Sequence, residues 1–318
     1  MSTSDQDNSP GWERKVLERI AFEGIVEQRR RRRWGIFFKL LGFIYFTLFL
    51  VALGDWDGSV DKLGDGVRHT ALVQINGIIQ AKGDASADRI ISALQAAFEN
   101  KGTQGVILSI NSPGGSPVQA GMIYDEIRRL RAKFPKIPLY VVVEDSCPSG
   151  GYYIAAAADQ IFVDKASVVG SIGVIMEGFG FTQAISKLGV ERRALISGQN
   201  KGFMDPFLPE DPRQKAYAQQ MLDEIHQQFI DAVRAGRGKR LKESAEIFSG
   251  LMWTGARSIE MGLADGYGTV DSVAREVIKV EDVRDYTVKQ TFAERFSNRF
   301  GASLVDSMAS RASQLNWR

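Results

Sequence analysis

Three glycine-rich junctions hold the residues of this sequence best suited to chemistry: Asn111-Ser112-Pro113-Gly114-Gly115, Pro148-Ser149-Gly150-Gly151 and Gly170-Ser171-Ile172-Gly173. Each follows an apolar run, and in open α/β sheets ligands bind at the ends of the strands. Glycine lets backbone N–H groups approach a substrate with no side chain in the way. A serine flanked by such amides at a helix start is placed for nucleophilic attack. The free N–H groups and the helix dipole favour the negative charge that develops there. Ser149 has this setting. A lone Gly-Gly pair reads as a tight turn, whereas three such junctions at successive strand ends point to a site.

A nucleophilic serine needs a base. The chain has two histidines, His69 before the first strand of the domain and His226 inside a long helical stretch. Neither has the setting of a catalytic imidazole, and structural roles are expected of both. Lysine remains. Lys201 stands in the small, polar loop Ser197-Gly198-Gln199-Asn200-Lys201-Gly202 after an apolar run. Composition alone reads it as a surface lysine, and the pattern by itself does not decide between the two roles. A free lysine titrates near ~10.4, and lowering it by about three units costs about 4 kcal/mol. A lysine base must therefore be desolvated, and a neighbouring hydroxyl should orient its amine; Ser171 is the candidate. Such a base implies a rate that rises toward alkaline pH.

The elements that must position these groups alternate. Thr70–Ile75, Gly105–Ile110, Leu139–Val143 and Gln160–Val163 read as strands. Ser86–Asn100, with Ser86 as cap, and Val118–Phe134 read as helices, as do the small-residue stretch Gly150–Ala158 and the long Pro212–Ala235. Alternation of this kind implies an α/β domain with largely parallel pairing, whose covered strands are unbroken apolar runs.

Ahead of this domain, Arg29 to Arg33 precede Trp34–Leu53, twenty residues whose one charge is Lys39. Twenty helical residues span about 30 Å, the thickness of a bilayer's hydrocarbon. Asp55, Asp57, Asp61 and Asp65 follow, so the charge asymmetry puts the N-terminus in the cytoplasm and the remainder outside. A buried core helix and a signal peptide cleaved near Ala52-Leu53-Gly54 are the competing readings. About thirty residues precede the apolar stretch, which favours an uncleaved anchor.

The expected organisation is a tail over 1–33, an anchor over 34–54, a linker over 55–68, a catalytic domain over 69–285 and an amphipathic helix over 286–318. In the tail, Trp12, Val16 and Ile20 recur at helical spacing; in the last segment Phe292, Phe296, Phe300, Leu304 and Met308 do. Packing on the parent domain and contact with a subunit or membrane both remain open for that helix. The net charge of +2 over 318 residues gives no general pull toward nucleic acid, and the single cysteine, Cys147, excludes an internal disulfide.

At the residues quoted, the chain resembles the bacterial signal peptide peptidase A family in its short, single-domain form, from about Ala71 to about Asp271. Asn111–Gly115 is similar to that family's oxyanion strand, which the Clp protease relatives share. Ser149-Gly150-Gly151-Tyr152-Tyr153 is similar to its nucleophile motif, and Gly170-Ser171-Ile172-Gly173-Val174 to the loop that orients the lysine. Ser197-Gly198, Lys201 and Pro206-Phe207 resemble its general-base motif, and Trp253-Thr254-Gly255 through Gly262-Leu263-Ala264-Asp265-Gly266 its closing segment. The 52 positions from Ser149 to Lys201 suit the single-domain form, in which both lie in one repeat.

The resemblance implies a Clp/crotonase-like fold of repeated ββα units behind one transmembrane helix. It implies Ser149 as nucleophile, Lys201 as general base, Ser171 as the group orienting Lys201, and the Gly115 and Gly150 amides as the oxyanion hole. No metal or other cofactor is implied. The implied substrates are released signal peptides and other hydrophobic peptides at the membrane. The implied assembly is a ring-like homo-oligomer, an octamer among the sizes that would suit, in a bacterial inner membrane with the protease domain on the extracytoplasmic, periplasmic side. A crotonase-type acyl-thioester enzyme and a non-catalytic membrane scaffold of the same fold are the alternatives.

Overall fold

The computed structural model describes residues 12–53 and 66–288 of the chain. It divides into two units, Met1–Ser59 with Thr291–Arg318, and Val60–Gln290. The first contains α1, a single helix over Trp12–Leu53. Its apolar side chains from Trp34 to Phe49 are exposed, covering about 24 Å of helix. Among the described residues no helix is long and apolar enough to cross a membrane. The expected C-terminal helix from 289 onward and the linker up to Asp65 lie outside the described residues.

The second unit is built on a six-stranded sheet. Its elements are β1 (His69–Asn76), α2 (Ala87–Glu99), β2 (Thr103–Asn111), α3 (Pro117–Lys133), β3 (Leu139–Val143), β4 (Ser146–Pro148), α4 (Gly150–Ala155), β5 (Gln160–Val163), β6 (Val168–Gly170), α5 (Thr182–Lys187), α6 (Pro212–Arg237), β7 (Met252–Thr254), α7 (Gly255–Glu260), β8 (Gly266–Tyr267), α8 (Val270–Ser272) and β9 (Val283–Asp285). The sheet runs β8-β5-β3-β2-β1-β9 with every pairing parallel. This is the α/β architecture that the alternating apolar runs imply.

The two faces of the sheet follow from the alternation of side chains along each strand. Val106, Leu108 and Ile110 of β2 and Val141 and Val143 of β3 point into the main core, under α2, α3 and α4. Ile107 and Val142 point to the other face, into a smaller cluster with Val273 and Ala274. α2 presents Ile90, Ala93, Leu94, Ala97 and Phe98 to the main core, a helical spacing that puts all five on one face. Ser86 caps it by position but makes no side-chain cap bond. Instead Gln119 Oε1 of α3 accepts from the Ala87 N–H at 2.8 Å, tying the two helix starts together.

A buried ion pair closes the far side. Arg237, 1% exposed, meets Asp265 through two N–H···O bonds of 2.8 Å each and donates from Nε to Gly262 O at 2.9 Å. Asp265 also accepts from the Ile161 N–H of β5 at 2.7 Å. Burial alone would raise the Asp265 carboxyl. The Arg237 guanidinium, the Ile161 N–H and Arg240 outweigh it and hold the group below the usual carboxylate range. The Gly262–Gly266 segment is thus a clamp between the end of α6 and the sheet.

Candidate active site

A second, three-stranded sheet, β4-β6-β7, positions the serines. Its strands are three residues each, too short for periodicity to reveal in the sequence. β4 and β6 pair in parallel, with Cys147 opposite Val169 and Pro148 opposite Gly170. The next residue on each strand is a serine, and both serines leave the strand in the left-handed region, Ser149 at φ 53° and Ser171 at φ 50°. Such backbone costs a non-glycine residue of order 1–3 kcal/mol. Here it is held by flanking bonds: Ser149 N–H donates to Gly170 O at 2.8 Å, and Ser171 N–H to Leu251 O at 2.7 Å. Neighbouring strands lie about 4.8 Å apart, so the register carries Ser149 and Ser171 side by side.

Ser149 is also the residue before the first turn of α4 and makes no cap bond with its side chain. Its hydroxyl is therefore not spent on the helix. Gly150 stands at the first helical position, where an N–H has no intrahelical acceptor. The Asn111–Gly115 segment packs directly onto this turn. Ser112 N–H donates to Ser146 O at 2.8 Å, and Gly114 N–H to Ser112 Oγ at 3.1 Å. Ile79 bridges Gly115 by donating to Gly114 O at 2.9 Å and accepting from Ser116 N–H at 2.8 Å. That pairing turns the Gly115 N–H away from Ile79 and toward α4. A Cβ on Gly150 would lie 3.2 Å from the Gly115 nitrogen. The Gly115 and Gly150 backbones thus lie close together beside Ser149.

The space they face is a cleft of about 430 Å³, lined by Gly115, Ser149 and Gly150 together with parts of α3, α4 and α6. Tyr153 and Phe229 meet there with ring centroids 4.9 Å apart. Burial is the main influence that pushes the Tyr153 phenol up, and the nearby Asp125 carboxylate adds to it. Cys147, one strand residue before the turn, is buried, and burial pushes its thiol up. Among the described residues no group of three His, Cys, Asp or Glu side chains is disposed to hold a metal ion.

The five residues singled out in the sequence divide. Ser149, Gly115 and Gly150 share the cleft, and Ser171 is joined to it through β6. Lys201 is not among the residues lining the cleft. It lies exposed on a turn closed by its own N–H donating to Gly198 O at 3.0 Å, within a long exposed segment that includes Phe179, 81% exposed, and Leu188, 78% exposed. The histidines have structural partners. His69 is buried between Val67 O and the Tyr286 hydroxyl, each at 2.8 Å. His226 Nε2 lies 2.9 Å from Ile172 O and steadies the loop that follows Ser171. Asp125 in the cleft is a residue that the motifs did not reveal; Tyr153, also in the cleft, and Trp253, whose buried indole N–H has no partner among the described residues, stand in quoted motifs that assigned them no role. Asp125 stands seven positions after Val118 on one face of α3, a spacing that could have been read from the sequence.

The parallel sheet thus presents a serine at positive φ at a helix start, beside the Gly115 and Gly150 backbone. Residues 131–284 match Peptidase family S49, and residues 69–162 match the Clp protease family. A putative protease of Synechocystis, slr0021, is 30% identical over 64% of this chain and 70% of its own. A putative signal peptide peptidase SppA of Enterococcus faecium is 28% identical over 72% of this chain and 69% of its own. A protein of Brucella melitensis named Na(+)/H(+) antiporter NhaA is 42% identical over 64% of this chain, but the match spans 28% of that protein's length. The chain belongs to peptidase family S49.

Proposed function

We propose that this chain is a membrane-anchored serine endopeptidase that uses a Ser149–Lys201 dyad on apolar peptides, released signal peptides among them, at the extracytoplasmic face of a bacterial inner membrane. The observation that carries the reading is Ser149 itself. It is held at positive φ at the start of α4, with its side chain free of cap bonds and with the Gly115 and Gly150 amides beside it. In this reading Ser149 Oγ attacks the scissile carbonyl and gives its proton to the Lys201 amine. The oxyanion is stabilised by the two amides, each contributing about 3 kcal/mol. Lys201 then protonates the leaving amine and activates the water that releases the acyl group. Ser171 orients the amine.

Because Lys201 stands outside the cleft in the single chain, closing of the dyad accompanies assembly. The exposed apolar side chains of its segment support this. Covering a side chain such as Phe179 or Leu188 contributes about 1.5–3 kcal/mol, which favours a ring-like homo-oligomer. The anchor rests on the apolar stretch of α1, whose exposed Trp34, Phe37, Phe43 and Ile44 need a cover, and on the arginines ahead of it. The test is hydrolysis of fluorogenic apolar peptides by wild type, Ser149→Ala and Lys201→Ala. Each variant should lose about three orders of magnitude or more in kcat. Undiminished turnover in either would remove that residue from the dyad.

A further inference from the structure

The cleft beside Ser149 has lining residues that the chemical step does not use. Val118, Gly121, Met122 and Asp125 of α3 line it, at positions i, i+3, i+4 and i+7 on one helix face. Val118 and Met122 offer exposed apolar side chains. Gly121 offers none, and a Cβ built there meets nothing within 4 Å. Its φ is not in the left-handed region, so the backbone does not require glycine, although glycine weakens a helix interior by about 1 kcal/mol relative to alanine. What Gly121 supplies is room. Asp125, Tyr153 and Gln228 line it as well, and Asp125 is exposed. No ion pair or hydrogen bond engages the Asp125 carboxylate among the described residues.

The length of α3 sets a scale for an occupant of the cleft. Pro117 opens α3 two residues after Gly115, and Asp125 lies eight residues further on, about 12 Å along the axis. A lysine or arginine side chain reaches roughly 6–7 Å beyond its Cα on ordinary bond lengths. A charged hydrogen bond adds about 3 Å, and the aspartate's own side chain covers the rest. A leucine would fill the apolar part and leave the carboxylate unmet.

We propose that this cleft is the subsite for the residue on the acyl side of the scissile bond, and that it selects lysine or arginine there. Val118 and Met122 take the methylene stem and Asp125 takes the charge. The inference rests on Ser149 as nucleophile and adds a substrate class to it: apolar peptides carrying a cationic residue at the cleavage point. The start of a secretory signal, basic and then apolar, has this composition. The influence of Asp125 on the Tyr153 phenol is consistent with both groups facing the same space.

Two measurements test this. In the first, matched fluorogenic peptides differing only in lysine or leucine before the scissile bond are hydrolysed by wild type and by Asp125→Asn. A hydrogen bond to a charged group corresponds to about 10- to 100-fold. The lysine-to-leucine ratio of kcat/KM should therefore be about 10 or more in wild type and fall toward 1 in Asp125→Asn. A wild-type preference for leucine, or a ratio unmoved by Asp125→Asn, overturns the proposal. In the second, the Ser149→Ala protein is titrated with acetyl-Ala-Ala-Lys-amide and acetyl-Ala-Ala-Leu-amide, with and without Asp125→Asn. The lysine peptide should bind more tightly and lose that advantage in Asp125→Asn; equal binding overturns the subsite even if no peptide is turned over. Absence of hydrolysis with lysine-selective binding would instead count against the catalytic reading alone.

Discussion

Gly114→Ala should disable the site without removing any group that takes part in the reaction. A Cβ on Gly114 would stand 2.8 Å from Ser149 Cβ, 2.9 Å from Gly150 N and 3.0 Å from Pro148 O. Carbon atoms in good contact are about 3.5–4.0 Å apart, so the Asn111–Gly115 segment and the Ser149 turn must separate by roughly 0.7 Å or more. Neither side can give cheaply, since the neighbours are backbone and a Cβ rather than the end of a flexible side chain. Gly114 also sits at φ +97°, and holding alanine there adds of order 1–3 kcal/mol. The Gly115 amide moves with the strand. Misplacement by about 1 Å costs about 100-fold in rate, and loss of one oxyanion donor costs about 10²–10³ in kcat. The expected result is a fall in kcat of about 100-fold with KM changed only a few-fold, and a Tm lower by about 3–10 °C for a unit of this size. Peptide hydrolysis and thermal unfolding of the purified variant measure both. A kcat within threefold of wild type at an unchanged Tm would refute the packing of Gly114 against Ser149 as the origin of the site's geometry.

Other changes have equally definite outcomes. Gly121→Ala adds a methyl group to open space in a helix interior and should raise stability by about 0.5–1 kcal/mol in denaturant unfolding. Arg237→Met leaves the Asp265 carboxylate buried without its main partner and should cost about 3–5 kcal/mol by the same measurement. Because Asp265 is held below the usual carboxylate range, its contribution is fully present above the unfolded value of about 3.9 and is lost as pH falls through the folded value. Wild type should thus lose stability in that acid window, and Arg237→Met should show a smaller loss there. Cys147, buried with its thiol pushed up, should react with a thiol reagent only when the chain unfolds, as labelling across a denaturant series would reveal.

The parallel sheet was legible because β1, β2, β3 and β5 centre on apolar runs separated by helical stretches. The turn at Ser149 was legible because Gly150 and Gly151 follow the serine and three glycine-rich junctions recur along the sheet. The small sheet was not, because three-residue strands such as Val168–Gly170 carry no period to detect. It is this sheet, through the Pro148–Gly170 pairing, that sets Ser149 and Ser171 together. The Arg237–Asp265 clamp was hidden for another reason: its partners are 28 residues apart, and only the fold makes them neighbours. Lys201 was distinguished from other lysines by motif resemblance alone, and in the single chain it stands outside the Ser149 cleft.

The central claim is that Ser149 is a nucleophile activated by Lys201. The most direct measurement is mass spectrometry of the full-length protein in detergent after treatment with a serine-directed fluorophosphonate. One adduct per chain, on the peptide containing Ser149, is predicted, and Lys201→Met should abolish it while leaving the fold and assembly unchanged. An adduct on another residue, or Ser149 labelling that proceeds equally well in Lys201→Met, would contradict the account.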